Sequence, residues 1–435
     1  GFLVAAASAG LTGLGACAPG DGPGEGAADG YVDWSAGEAP PNGGLFPADW
    51  PDAVNAATVT GSLAAVSSTY SYASQAGLDV MRAGGNAVDA AIAVSFALAV
   101  VNPEAGNIGG GGFLVLREAD GATAALDYRE TAPAAATRDM FLDENGQLTD
   151  KSVVGHLAAG VPGAVMGLWE AHQRFGTLPW TDLVEPAIEL ARGFEVVERQ
   201  ARSFRWGAES FELFPAAAAT FLPGGAPATE GDLFQQPDLA ATLVRIRDLG
   251  PAGFYEGETA DLIVAEMERG GGIITHEDLA SYRAAWREPI VFDYRDYTLI
   301  SMPPSSSGGA TMAEMANILE AYDLGASGWN TPETVHLLAE AWRRAYADRN
   351  HYMADTDFVE VPIEELISEA YAARRRETIS PTAATPSLEV GPGLKPVDRG
   401  SNTTHFSIVD PMGNAVAVTT TINSWYGNKV VVEGA

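Results

Sequence analysis

The chain is expected to fold as an α+β protein in which helices layer against antiparallel hairpins. Three observations lead there. Helical periodicity recurs at 162–175, 181–193, 236–248, 256–269, 309–323 and 332–353. Extended segments come in neighbouring pairs: "GFLVLRE" with "TAALDYRE", and two strands within "IVFDYRDYTLISM" around a short turn. Helices and hairpins alternate without a regular βαβ rhythm, which disfavours a doubly wound sheet. A chain of 435 residues with 46% hydrophobic residues can bury a sizeable core.

Composition excludes several functions. A net charge of −32 leaves nothing to neutralise a row of phosphates, so nucleic acid is not an expected partner. One cysteine, Cys17, rules out a disulfide framework and a thiolate metal cluster. The six histidines are scattered and none pairs with another at ligand spacing. No metal or cofactor is implied.

Residues 2–16, "FLVAAASAGLTGLGA", are apolar and small, and Cys17 follows. A membrane span needs about 20 apolar residues, so the run reads as the core of an export signal. "LGAC" (Leu14–Cys17) resembles a bacterial lipobox, which makes residues 1–17 a lipoprotein-type signal with Cys17 the lipidated residue. The alternative is an ordinary cleaved signal. The expected location is the bacterial periplasm or cell surface, with membrane contact through the lipid alone. Residues 18–56 are rich in Gly, Pro, Asp and Glu and read as a flexible acidic tether.

The folded body starts near residue 57. Gly77–Gly106 reads as two helices, the first stopped by Gly84-Gly85 and the second apolar on most faces, hence buried. "GNIGGGG" (Gly106–Gly112) follows a helix and precedes a strand, the reverse of a nucleotide-binding loop. It reads instead as a place where two backbones approach closely. "LDYRETAP" puts Arg129 at a strand end, where it is either a surface charge or a carboxylate clamp. In "MPPSSSGG" (Met302–Gly309), Ser307 or its neighbours are expected to cap the next helix.

The most informative stretch is "GSNTTHFSIVDPMGNAVAVTTTIN" (Gly400–Asn423). "DPMGN" is a turn between two strands. That register sets Val409 opposite Ala415, Ser407 opposite Ala417, His405 opposite Thr419 and Thr403 opposite Thr421. Side chains alternate across a strand, so Thr403, Thr421 and Asn423 are expected on one face, with opposed Cβ atoms roughly 4.5–5.5 Å apart. A hydroxyl nucleophile needs a base. His405 shares the strand face of Thr403 and is one possibility. Breakage of the Asn402–Thr403 bond supplies another: an α-amine with a pKa of about 8 on the same residue as the hydroxyl.

These residues resemble the self-cleavage site of gamma-glutamyltransferases, which are N-terminal-nucleophile hydrolases. The resemblance runs from about residue 57 to the end. It includes "GGNAVDAAIAVSFALAVVNPEAGNIGGGGF", "LDYRETAPAAATRDMF", "GVPGAVMGLWEAHQRFG", "MPPSSSGG" and "AEAWRRAYADRNHYMADTDFV". It implies a four-layer αββα sandwich, a large-subunit region at 57–402 and a small subunit starting at Thr403. Small-subunit sequence beyond residue 435 is expected in the family, so the fold reads as C-terminally incomplete and residues 1–435 alone are expected to be inactive.

By the same resemblance Thr403 cuts its own preceding bond at Asn402 and then attacks a γ-glutamyl amide. Thr421 hydrogen-bonds the nucleophile, Arg129 holds the substrate α-carboxylate, Asn423 lines the glutamyl pocket and His405 has no catalytic role. The implied substrates are glutathione and related compounds, with water, amino acids or dipeptides as acceptors. Two alternatives stand beside this: an acylase of the same fold acting on glutaryl cephalosporins or poly-γ-glutamate, and a catalytically silent, lipid-anchored binding protein.

Overall fold

The computed structural model describes residue 61, residues 63–391 and residues 404–435. The export segment, Cys17, the acidic tether, Asn402 and Thr403 lie outside the described residues.

The body centres on a six-stranded antiparallel sheet. Its strands are β1 (Ala65–Ser67), β2 (Gly111–Arg117), β3 (Thr123–Asp127), β4 (Ala285–Arg287), β5 (Thr404–Val409) and β6 (Ala415–Thr421). They run in the order β1-β5-β6-β2-β3-β4. The late hairpin β5–β6 is therefore inserted between β1 and β2, at the middle of the sheet. The α+β class expected from the sequence is the class observed.

Helix α1 (Ser71–Arg82) leads into α2 (Ala87–Val101), and α2 packs on β5, β6 and α1. Every residue of α2 is buried, as its apolar composition predicts. Its start is fixed by Asn86. The Asn86 side chain accepts from the Val88 and Asp89 amides at 2.9 Å each, and Asp89 accepts from the Asn86 amide at 3.0 Å. Removing such a cap typically costs about 1 kcal/mol.

The six helical periods correspond to helices at Ala164–Phe175, Trp180–Arg192, Pro237–Leu249, Gly257–Gly270, Gly308–Leu319 and Pro332–Tyr352. The Ile290–Met302 segment forms its own ladder, Ile290–Tyr294 with Tyr297–Ser301. Among the described residues no helix is long and apolar enough to cross a membrane.

The β5–β6 register is the one expected: Val409 opposite Ala415, Ser407 opposite Ala417 and His405 opposite Thr419. The described ladder ends at Thr404–Thr420. Phe406, Ile408, Val416 and Val418 are buried on the face covered by α2. The turn is held by the buried Asp410 carboxylate, which accepts from the Met412 and Asn414 amides (2.9 Å each) and from the Ala87 amide (3.0 Å). One carboxylate thus shapes the hairpin and ties it to the first residue of α2.

Ser307 sits at the N-cap of the helix Gly308–Leu319, but its side chain does not cap. Arg349 Nε donates to Ser307 Oγ at 2.8 Å, and the neighbouring Ser306 Oγ takes the Gly308 amide at 3.3 Å.

Candidate active site

The glycine run is the hinge of the site. Strand β2 begins at Gly111, paired with Thr421 at the end of β6. A Cβ on Gly110 would lie 2.5 Å from the Thr421 carbonyl oxygen, and one on Gly112 would lie 2.5 Å from that of Thr419. On the other side, a Cβ on Gly111 would lie 2.5 Å from the Tyr128 carbonyl oxygen and 2.8 Å from Arg129 Cα. The backbones of β6, β2 and the Tyr128–Arg129 segment therefore close on one another only because residues 110–112 carry no side chains. The close approach read from "GNIGGGG" is observed, and it sets Thr421 and Arg129 on the two flanks of one strand end.

Asn107 locks this arrangement. Its Nδ2 donates to Thr420 Oγ1 at 2.9 Å and to the Thr421 carbonyl at 3.0 Å, while its Oδ1 accepts from the Gly110 amide at 2.9 Å. Thr420 Oγ1 in turn donates to the Gly111 carbonyl at 3.1 Å. The one signal that marks Asn107 in the sequence is its place at the head of the glycine run.

Thr421 is buried, and its Oγ1 accepts from the Asn423 amide at 2.9 Å. Here the structure corrects the sequence reading. Asn423 does not continue the strand face of Thr421. The strand stops at Thr421, and Asn423 has φ 67°, a left-handed conformation that asparagine tolerates. Asn423 reaches Thr421 through its backbone, from a turn.

Arg129 lies two residues past β3. Its Nε pairs with Glu130 Oε2 at 3.0 Å, its Cζ is 5.7 Å from the Phe113 ring centroid, and its side chain is 38% exposed. Its backbone is pinned at both ends: its amide donates to Asp127 Oδ1 (3.1 Å) and its carbonyl accepts from the Tyr282 hydroxyl (2.7 Å). The guanidinium is thus partly open on a fixed stalk.

His405 Nδ1 lies 2.8 Å from Thr419 Oγ1, and its Nε2 lies 3.3 Å from Ser407 Oγ. Burial lowers its pKa from the ordinary value, which favours the neutral ring. Both ring nitrogens face hydroxyls of the hairpin.

Comparisons with known proteins identify the family. The family model described as gamma-glutamyltranspeptidase matches residues 73–435. The chain belongs to the gamma-glutamyltranspeptidase family. It is 48% identical over 384 residues to the glutathione hydrolase proenzyme of Pseudomonas aeruginosa, an alignment spanning 87% of this chain and 67% of that protein. It is 42% identical over 386 residues to the acylase ACY 1 proenzyme of Pseudomonas sp. strain V22, covering 86% and 68%. The crystal structure of Helicobacter pylori gamma-glutamyltranspeptidase superposes with a TM-score of 0.75 at 47% identity, covering 79% of this chain and 99% of that one. The fold is that of this N-terminal-nucleophile hydrolase family. The chain spans about two thirds of the length of the curated relatives it matches.

Proposed function

We propose that the chain carries the threonine nucleophile of a self-processing γ-glutamyl hydrolase and acyltransferase acting on glutathione-type substrates. The observation that carries this reading is the convergence of Thr421, Gly111 and Arg129 at one end of neighbouring strands. The hairpin that follows the Asn402–Thr403 bond leads into the same region. Relatives named glutathione hydrolase proenzymes support the substrate class and the two-piece product.

In the proposed chemistry the Thr403 hydroxyl attacks the Asn402 carbonyl. The Asn402–Thr403 peptide bond breaks, and hydrolysis of the resulting ester leaves Thr403 as a chain terminus. The freed α-amine then accepts the hydroxyl proton as Thr403 Oγ attacks the γ-carbonyl of substrate. The proton passes to the departing nitrogen, and a γ-glutamyl ester remains on Thr403. Water or the amine of an amino acid or dipeptide attacks the ester and completes hydrolysis or transfer. Thr421 orients the nucleophile, and its own hydroxyl is oriented by the Asn423 amide. Arg129 receives the substrate α-carboxylate, which competes with Glu130 for the guanidinium. Asn423 lines the glutamyl pocket. The export signal and lipidation at Cys17 place the two subunits outside the cytoplasm, held to the membrane by lipid.

The test uses protein expressed from the complete gene. A denaturing gel should show two bands, and the smaller should begin at Thr403. Thr403→Ala should remain uncut and release nothing from a γ-glutamyl anilide. Cleavage of that variant between residues 402 and 403 rejects self-processing. The similarity to acylase ACY 1 favours one second reading, a glutaryl acylase. Turnover of glutaryl but not γ-glutamyl anilide selects it.

A further inference from the structure

We infer that Thr69 is a positioning residue for the nucleophile, an inference that rests on the γ-glutamyl reading above. Thr69 Oγ1 lies 2.6 Å from Thr404 Oγ1, across 335 residues of chain. Thr404 is 4% exposed and immediately follows the residue assigned as nucleophile.

The contact fills a gap on one edge of the ladder, since Thr404 is paired with Thr420 of β6 but lies beyond the residues paired with β1. Strand β1 pairs with β5 only from Ala65–Val409 to Ser67–Ser407. Along that edge the backbone pairing stops three residues short of Thr404. The chain then leaves the sheet at Ser68, whose hydroxyl donates to the Tyr70 carbonyl at 2.9 Å and lies 2.7 Å from Ser74 Oγ. Thr69 is thereby held on a tight corner and reaches back to the first residue of β5. Cleavage makes residue 403 a chain terminus and removes its upstream restraint. Strand ends fray unless tied down, and a misplaced reacting group lowers rate steeply. The β6 ladder holds the residue next to that terminus on one edge, and the Thr69–Thr404 bond holds it on the other.

The neighbouring residue serves the other half of the site. Buried Tyr70 donates from its hydroxyl to Glu104 Oε1 at 3.0 Å, and the Glu104 carbonyl accepts from the Tyr426 amide at 3.3 Å. Tyr426 lies three residues past Asn423. Thr69 and Tyr70, adjacent in sequence, thus anchor the start of β5 and the turn that carries Asn423.

The test compares Thr69→Val, which keeps shape and loses the hydroxyl, with Thr69→Ser, which keeps the hydroxyl. Both are made in protein expressed from the complete gene and assayed on a γ-glutamyl anilide. In Thr69→Val, kcat and the rate of band splitting should fall roughly three- to tenfold, the rate equivalent of one hydrogen bond, with KM within about twofold. Thr69→Ser should restore kcat to within about twofold of wild type. Adding Thr69→Val to Thr404→Val should cause no further loss, because both remove the same bond. If Thr69→Val does not accumulate, Thr404→Val reads the bond from its other side.

Wild-type kinetics in Thr69→Val, or a Thr69→Ser as slow as Thr69→Val, overturns the assignment. A wild-type protein that neither splits nor turns over defeats the γ-glutamyl reading and this inference together. Normal wild-type turnover with unaltered Thr69→Val kinetics defeats this inference alone.

Discussion

The stretches on either side of residues 392–403 are held in different ways. Downstream, Thr404–Val409 is a strand inside the sheet, paired along its length with β6 and over Ser407–Val409 with β1. Upstream, residues 377–391 join no named strand and are held by side chains of the helix Pro332–Tyr352. Glu340 and Arg344, both essentially inaccessible, are one turn apart on that helix and pair at 2.7 Å. Arg344 Nε donates to Thr378 Oγ1 at 2.7 Å and its Nη2 to the Thr378 carbonyl at 2.6 Å. Glu340 accepts from the Thr385 amide at 2.9 Å and from its hydroxyl at 2.6 Å. His336 Nε2 lies 2.7 Å from the Ser380 carbonyl oxygen. The comparison teaches that the proposed cut separates a segment attached by polar clasps from one woven into the core. Each side keeps its own attachment once the bond is gone.

The largest expected effect breaks the upstream clasp. Glu340→Ala leaves the Arg344 guanidinium buried without its carboxylate and removes both bonds to Thr385. Breaking one partner of a buried pair typically costs about 3–5 kcal/mol. Residues 377–391 should then become the first site of limited proteolysis, while the β5–β6 amides keep their protection from hydrogen exchange. Loss of protection in both regions together would show that the two attachments are one unit.

An intermediate effect tests the downstream side. Gly110→Ala sets a methyl group 2.5 Å from the Thr421 carbonyl oxygen, beside Ile422 and Asn107. All three neighbours belong to the site, so relief must come from moving β6 or the glycine loop. Overpacking of this kind costs about 1–3 kcal/mol. Since the shift falls on Thr421, kcat should drop more than stability does, with residues 377–391 no more exposed to protease. Gly121→Ala is the control for handling. Its Cβ would meet nothing within 4 Å, although its φ of 97° carries a local backbone cost.

The contrast also explains what was legible in the sequence. Local signals survived folding. The capping of α2 is a short-range feature, and the hairpin register follows from one turn and strict alternation. The glycine run announced a close approach because few other reasons call for so many missing side chains. The upstream clasp was invisible. The helix Glu369–Arg376 is short, ends in three consecutive arginines and buries only Ala372, so it has no apolar stripe to detect. Arg344 and Glu340 sit within a helix read correctly from its periodicity. That periodicity does not say that two charged residues point inward toward a chain segment some forty residues away.

The Thr69 contact is equally silent in the sequence, since its partner Thr404 lies 335 residues away. Asn423 was placed on the wrong backbone because alternation was carried past the last strand residue. Nothing in "TTTIN" marks where the ladder ends.

The smallest effect sharpens the picture of the upstream side through pH. Burial alone would raise the Glu340 carboxyl, but the Thr385 hydroxyl and amide and the Arg344 guanidinium outweigh it and hold it at about 2. A folded pKa below the unfolded one stabilises above the unfolded value, and that contribution is lost as pH falls toward 2. Glu314, on the helix Gly308–Leu319, has the opposite sign. Burial pushes it up, the adjacent Asp348 pushes it further, and Arg375 offsets this only in part, leaving it at about 9. Arg375 lies 2.7 Å from Asp348 but 3.8 Å from Glu314, so it offsets the Glu314 shift only weakly. A folded pKa above the unfolded one stabilises fully below the unfolded value, and the contribution is lost as pH rises toward 9. Glu314→Gln mimics the protonated form and cannot titrate. Its melting temperature should decline less than that of wild type across this window, by roughly 2–5 °C at the alkaline end. The measurement belongs in the uncut Thr403→Ala background, where processing does not move with pH. Parallel curves for the two proteins would mean that Glu314 is ionised in the folded state and that Arg375 is shared evenly between the carboxylates.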